Sequence, residues 1–379
     1  MTTPAKQWLQ RIHLLIEKHD CTLPIRILNV CGGHERSITM AGLRSLLPAS
    51  IELIPGPGCP VCICPEEDLY EAIQIALHDD VILVAFGDML RVPTNAPKQN
   101  ARSLEQAKTQ GADVRPIASP MDAVQIATNH PDKKVVFFAA GFETTMAPVA
   151  AMIAQGVPDN LLMLLSGRLT WPAVAMLLAS DAPSFDGLVA PGHVATIMGA
   201  KEWQFVAEQH EIPTAIAGFD PASVLAAIYS ITRQCIEHKP MLDNCYQALV
   251  RDHGNQSAQQ HLQQVMRVVD ANWRGIGTIP MSGFELQPAY HHLDARLRFP
   301  QYREEGRRLA GEMPPGCDCA SVVLGKIYPT QCRLYGKACT PSNPIGPCMV
   351  SDEGACRIWW ANRSQLYSTP CIQATTECL

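Results

Sequence analysis

The sequence predicts an α/β protein of two small doubly wound parallel-sheet units followed by a C-terminal cysteine-rich region. Short aliphatic or β-branched runs alternate with amphipathic segments as far as residue 220, the pattern of parallel strands joined by helical crossovers. Loops bearing Gly, Cys or His follow these runs, where open α/β sheets bind ligands. Beyond residue 225 the strand signal fades and Pro, Gly and Cys accumulate. A chain of 379 residues is long enough for two or three hydrophobic cores, and three are expected.

In order, PIRILNV, IELIP, VILVAFG, DVRPIAS, KKVVFFAAG, NLLMLLSG, FDGLVAPG and IPTAIAGF read as strands, and EEDLYEAIQIALHDD and SLEQAKTQGA as helices. SPMDAVQ restarts the pattern near residue 120, which divides the α/β part into units 1–120 and 121–225. GFDPASVLAAIYSITRQCIEHK reads as a long helix. The third region, 226–379, opens with the helical stretch SAQQHLQQVMRVVD and ends in a cysteine array.

Composition narrows the function. With 47% hydrophobic and 17% charged residues the chain is globular, and a net charge of -6 gives no basic footprint for nucleic acid or anionic lipid. Apolar runs fall far short of the roughly 20 residues of a membrane span, and the start lacks a signal-peptide layout, so a cytoplasmic protein is expected. Fifteen cysteines in a reducing compartment point to metal or redox work rather than a disulfide framework. The sequence has neither a Walker loop nor a GxGxxG fingerprint.

Cys31 in NVCGGHE stands between a strand and a helix, where the helix dipole favours a nucleophilic or metal-binding thiolate; His34 lies on the same turn. Glu35 reads equally as a functional group or an ordinary first-turn charge. In GPGCPVCICP, Cys59 and Cys62 have a spacing that permits a reversible disulfide or two bonds to one metal. Without a second Cys-x-x-Cys, redox use is favoured over structural zinc, and Cys64 is a bystander or an alternative disulfide partner. Glu143 in GFETT is either a helix-opening residue or a cleft carboxylate, and His193 in APGHV a structural or a functional imidazole. Asp88 and Arg91 in GDMLRVP read as a surface pair, and Cys21, Cys235, Cys245, Cys371 and Cys378 as structural or incidental.

Near the C-terminus Cys317, Cys319, Cys332, Cys339, Cys348 and Cys356 fall within forty residues and include no histidine between them, which favours an iron–sulfur cluster over mixed zinc ligation. Proximity alone selects Cys332, Cys339, Cys348 and Cys356.

Taken in order, CGGHE, GPGCPVC, GDMLRVP, GFETT, PGHV, WRGIG and the cysteine array resemble the HypD family of [NiFe]-hydrogenase maturation factors over nearly the whole chain. The family pattern C-x12-C-x6-C-x16-C implies a [4Fe-4S] cluster on Cys319, Cys332, Cys339 and Cys356, with Cys348 in reserve. The resemblance implies a redox-active assembly scaffold rather than an enzyme of ordinary turnover. On it, with the small chaperone HypC, an iron ion receives two cyanides and one carbon monoxide before delivery to the hydrogenase large subunit. HypE, charged with help from HypF, would donate the cyanide. Cys31 would ligate that iron with His34 nearby, and Cys59 and Cys62 would pass electrons between cluster and iron. Arg36, Thr94 and Cys64 depart from the family pattern. A self-contained iron–sulfur thiol–disulfide oxidoreductase is the alternative reading, and a structural zinc protein a third.

Overall fold

The computed structural model describes residues 2–19, 24–97, 99–179, 184–303 and 313–363. Cys21, Cys371 and Cys378 lie outside these described residues. The fold is mixed α/β, with two sheets whose parallel strands are joined by helices.

The first sheet is entirely parallel, and contains β1 (Ile25–Asn29), β2 (Ile51–Pro55), β7 (Gly187–Pro191), β8 (Thr214–Ala217) and β9 (Leu242–Asn244) in the order β2-β1-β7-β8-β9. The second has a parallel part made of β3 (Val81–Phe86), β4 (Asp113–Ile117), β5 (Lys134–Gly141) and β6 (Leu161–Arg168). An antiparallel hairpin, β10 (Met266–Trp273) and β11 (Gly277–Leu286), extends it to β10-β11-β6-β5-β3-β4. Each parallel part reverses its strand order once, between β1 and β7 and between β3 and β5, and such switch points open a crevice at the strands' carboxyl ends.

The eight expected strands all form, because the central ones are nearly continuous apolar runs buried on both faces; in KVVFFAAG only Lys134 is exposed. Their assignment to sheets differs from the expected succession of units. Strands β3 and β4 precede residue 120 and share a sheet with β5 and β6, while β1 and β2 pair with β7 and β8 from the far side of it. Periodicity reports a strand's burial, whereas its partner is fixed by crossovers that leave no local signal.

Beyond residue 225 the strand signal does not end. The expected helix Ser257–Asp270 stops at Val265, and MRVVD becomes the start of β10, with Arg267 and Glu285 ion-paired across the hairpin at 2.8 Å. Most side chains of β10 are exposed or half-buried, so its sequence lacks the alternation that marks a strand. The expected long helix spans Pro221–Glu237, started by Pro221 and by Asp220, whose carboxylate accepts from the Ala222 and Ser223 amides.

The cysteine-rich region has only a small core of its own, Ile358 and Trp359 packed with Tyr328 and Tyr335. Cys319, Val322, Cys348 and Cys356 pack in the same buried cluster as Cys59, Cys62, Phe138 and Trp273, so the array closes over one face of the second sheet. Among the described residues no helix is long and apolar enough to cross a membrane.

Candidate functional site

Three loops from distant parts of the chain meet at backbone contact beyond the end of β1. Gly58 of the GPGCPVC loop lies so close to Cys31 that an added Cβ would stand 2.3 Å from the Cys31 Cα, and its carbonyl accepts from the Gly32 amide at 3.1 Å. On the other side an added Cβ at Gly32 would stand 2.4 Å from the Glu353 carbonyl oxygen. Only glycine admits both approaches.

Cys31 caps the helix Gly32–Met40 from extended backbone, as expected of a thiol at a helix N-terminus. Its proton is held more firmly than the dipole argument anticipates: burial, with the Glu353 carboxylate second, pushes the thiol up to about 12. A bound metal would displace that proton. His34 is buried, its Nε2 donates to the Ala217 carbonyl at 3.0 Å, and its Nδ1 lone pair has no hydrogen-bond partner among the described residues. Burial pulls its pKa down to about 4, so the ring is neutral through the physiological range.

His193, at the end of β7, is exposed and stacks on Phe219 with centroids 3.7 Å apart; Phe219 also stacks on His34, at 4.7 Å, and meets Tyr246 edge-on at 6.3 Å. His34 and His193 are therefore brought together through a phenyl ring that was not among the expected site residues. Its signal was a glycine–aromatic pair directly after a strand, in the same position as GFETT.

Cys59 and Cys62 are joined in a disulfide, buried at 4% and 2% exposure. The disulfide, Cys31 and Cys348 line one cavity of about 10 Å³, room for about a single water. Asn29, Glu35 and Glu353 complete its polar wall. Cys64 is a free buried thiol 3.4 Å from Ser166 Oγ, and burial with nearby Asp68 pushes it up to about 12.

Glu35 is no ordinary surface charge. Its buried carboxylate accepts from Asn29 Nδ2 and Arg44 Nη2, each at 2.8 Å, from Thr39 Oγ1 at 3.3 Å and from Trp359 Nε1 at 2.6 Å. It thus ties the CGGHE helix to the helix Ala355–Ala361, which carries Cys356. Asp88 and Arg91 do not pair with each other as expected but fasten the same C-terminal segment. Asp88 accepts from Ser351 Oγ at 2.8 Å, and Arg91 donates to the Val350 carbonyl at 3.3 Å. Thr94 is buried, is absent from the positive-φ residues and accepts Arg102 Nε at its carbonyl, so the loop has no need of glycine there.

In the array, the Sγ atoms of Cys319, Cys348 and Cys356 lie within 4.8 Å of one another, all buried. Cys317 Sγ is 3.3 Å from Cys319 Sγ, and an added Cβ at Gly346 would stand 2.4 Å and 2.6 Å from these two sulfurs. Cys319 and Cys356 of the expected ligand set are therefore gathered with the reserve residue Cys348. Cys332 and Cys339 are buried outside the triad, on the turn Cys332 to Cys339. An all-thiol, buried donor set of this kind fits a soft, cysteine-ligated metal centre. Arg274 of WRGIG, buried and donating to the Pro93 carbonyl at 2.7 Å, lies within electrostatic reach of Cys317 and Cys319.

Glu143 stands apart from the cavity. Its carboxylate accepts from the Thr170 amide at 2.6 Å and the Thr170 hydroxyl at 2.7 Å, which is a structural use of the group. Burial nonetheless raises it to about 7, and burial with the Glu143 charge raises neighbouring Glu202 to about 9.

Comparison with known proteins shows the family. The family model HypD, described as the hydrogenase formation hypA family, matches residues 3–363. The chain is 39% identical over 351 residues to hydrogenase maturation factor HypD2 of Bradyrhizobium diazoefficiens, covering 90% of each protein. It is 40% identical over 346 residues to hydrogenase maturation factor HypD of Escherichia coli K12, again over 90% of each. A putative hydrogenase expression/formation protein of Methanocaldococcus jannaschii is 36% identical over 360 residues, 94% of this chain and 97% of that protein.

Proposed function

Because the chain belongs to the HypD family of hydrogenase maturation factors, we propose that it is the redox-active scaffold on which the iron carrying two cyanides and one carbon monoxide is assembled. HypC would be its partner at the iron, and HypE, with HypF upstream, the cyanide donor for the [NiFe]-hydrogenase large subunit.

The observation that supports this reading is the single small cavity shared by Cys31, the Cys59–Cys62 disulfide and Cys348. Cys31 would be the soft anchor for the iron cargo: binding would displace the proton that burial holds on its thiol, and thiolate suits a low-valent iron bearing strong-field ligands. Neutral His34, on the same helical turn, keeps an Nδ1 lone pair unpartnered among the described residues. Cys59 and Cys62 form the two-electron store, since opening their bond takes two electrons and two protons and gives two thiols. The array would hold a [4Fe-4S] cluster, on Cys319, Cys332, Cys339 and Cys356 by the family spacing, and when bound that group supplies single electrons at low potential. Cys348 belongs both to the triad and to the cavity wall, and so would link the array to the disulfide. Burial of the disulfide against a one-water cavity leaves no room for a substrate disulfide, which speaks against the self-contained oxidoreductase.

Cys59→Ala and Cys62→Ala are expected to abolish hydrogenase maturation while leaving iron and acid-labile sulfide unchanged. Loss of the chromophore in these variants would contradict a separate redox role for the pair.

A further inference from the structure

Electrons must reach the array from outside, and one surface above it is set apart by charge. No acidic residue falls between Asp318 and Asp352, although the whole chain carries a net charge of -6. Within that interval Lys326, Arg333 and Lys337 are exposed, and none has a carboxylate partner among the described residues. Arg333 and Lys337 stand on the turn that carries Cys332 and Cys339, closed by hydrogen bonds from the Lys337 and Cys339 amides to the Leu334 carbonyl at 3.2 and 2.9 Å. Exposed Arg363 flanks the same turn: its guanidinium lies 4.5 Å from the Trp360 ring, which in turn covers Gly336 and meets Tyr335 edge-on at 6.1 Å. Alongside, Arg91 and Arg102 line a cleft of about 470 Å³ against Pro341–Ile345, with Glu105 as its acidic residue.

The thiols beneath this collar are the outermost buried ones of the array. Cys332 and Cys339 are 8% and 6% exposed, against 0% for Cys348 on the cavity side. Cys348 thus lines the cavity of the disulfide, whereas Cys332 and Cys339 sit on the turn that presents Arg333 and Lys337 to solvent.

We infer that the Arg333–Lys337 turn, with Arg363 beside it, is the docking face for an acidic one-electron carrier protein, of the ferredoxin or flavodoxin kind, that supplies the array with electrons. The inference rests on the cluster reading above. A protein rather than a small reductant is indicated because Cys332 and Cys339 lie under a closed turn. Complementary charge is what small, transient redox interfaces use to steer encounter. Each encounter oxidises the carrier by one electron; two electrons, with two protons from water, convert the Cys59–Cys62 disulfide to two thiols.

The test is anaerobic stopped-flow bleaching of the cluster chromophore in the purified full chain, with a reduced acidic [2Fe-2S] ferredoxin as probe and photoreduced deazaflavin as a neutral control. At low ionic strength Arg333→Glu with Lys337→Glu is expected to slow the ferredoxin reaction at least tenfold. The neutral pair Arg333→Gln with Lys337→Gln should fall between, the variants should converge in high salt, and the deazaflavin rate should not change. Calorimetric affinity for the ferredoxin is expected to fall in the same order. Equal ferredoxin rates and affinities, with the chromophore intact, overturn the docking face alone. A protein without iron or chromophore overturns the cluster reading and the docking face with it.

Discussion

Replacing Glu35 by Gln should loosen the helix Ala355–Ala361 from the CGGHE helix, and with it the register of the cysteine array against Cys31. The carboxylate is 2% exposed and accepts four hydrogen bonds, two of them from Arg44 and Trp359, at 2.8 and 2.6 Å. Removing one partner of a buried ion pair costs about 3–5 kcal/mol. Arg44 keeps Thr39 Oγ1 at 3.1 Å and the Leu53 carbonyl at 3.4 Å, so the low end, about 3 kcal/mol, is expected. Trp359→Phe removes a single bond to a charged acceptor, about 1.5–3 kcal/mol, while its ring stack on Tyr328 remains. At about 1.4 kcal/mol per tenfold, Glu35→Gln should raise the opening constant of residues 355–361 roughly a hundredfold in amide hydrogen exchange. The double variant should fall short of the sum, since Glu35→Gln already neutralises the charged acceptor whose bond Trp359→Phe removes. Unchanged exchange in that helix, or strict additivity, would refute the tether.

Gly58→Ala should force the GPGCPVC loop off Cys31 at a cost of about 1–3 kcal/mol and abolish maturation, because the new Cβ meets backbone at 2.3 Å; normal maturation would show that the contact is dispensable. Glu143 has a folded pKa of about 7 against an ordinary 4.5, so folding binds a proton that the unfolded chain has already lost. That stabilisation is full below pH 4.5 and lost as pH rises through 7, about 3 kcal/mol at most. Glu143→Gln should flatten this loss in thermal melts, and parallel wild-type and variant profiles would contradict it. Cys332→Ser should deplete iron and sulfide while Cys348→Ser retains both; the reverse would move the ligand set to the gathered triad of Cys319, Cys348 and Cys356.

The sequence made the strands and their loops legible because central parallel strands are apolar throughout and the loops carry unusual residues. Cys31, His34, Cys59 and Cys62 were found for that reason; the structure brings the three cysteines to one cavity, while His34 packs against Ala217 and Phe219. Interleaving of the sheets was illegible, since pairing is decided by crossovers, and so was β10, whose exposed side chains do not alternate. Glu35 was ambiguous because its partners, Asn29, Arg44 and Trp359, are scattered along the chain. Asp88 and Arg91 looked like neighbours of each other, yet each binds residues of the segment Val350–Asp352. The array's thiols were evident from spacing, but spacing cannot reveal that Cys348 shares a cavity with the disulfide while Cys332 and Cys339 lie outside the gathered triad.

The most direct measurement is an infrared spectrum of the anaerobically purified protein, coexpressed with HypC, HypE and HypF, in wild-type and Cys31→Ala forms. An assembly scaffold anchored at Cys31 predicts cyanide and carbonyl stretches from iron in the wild type and their loss in the variant. Bands that survive in Cys31→Ala, or a wild type without them while HypC and the cluster are bound, would contradict it.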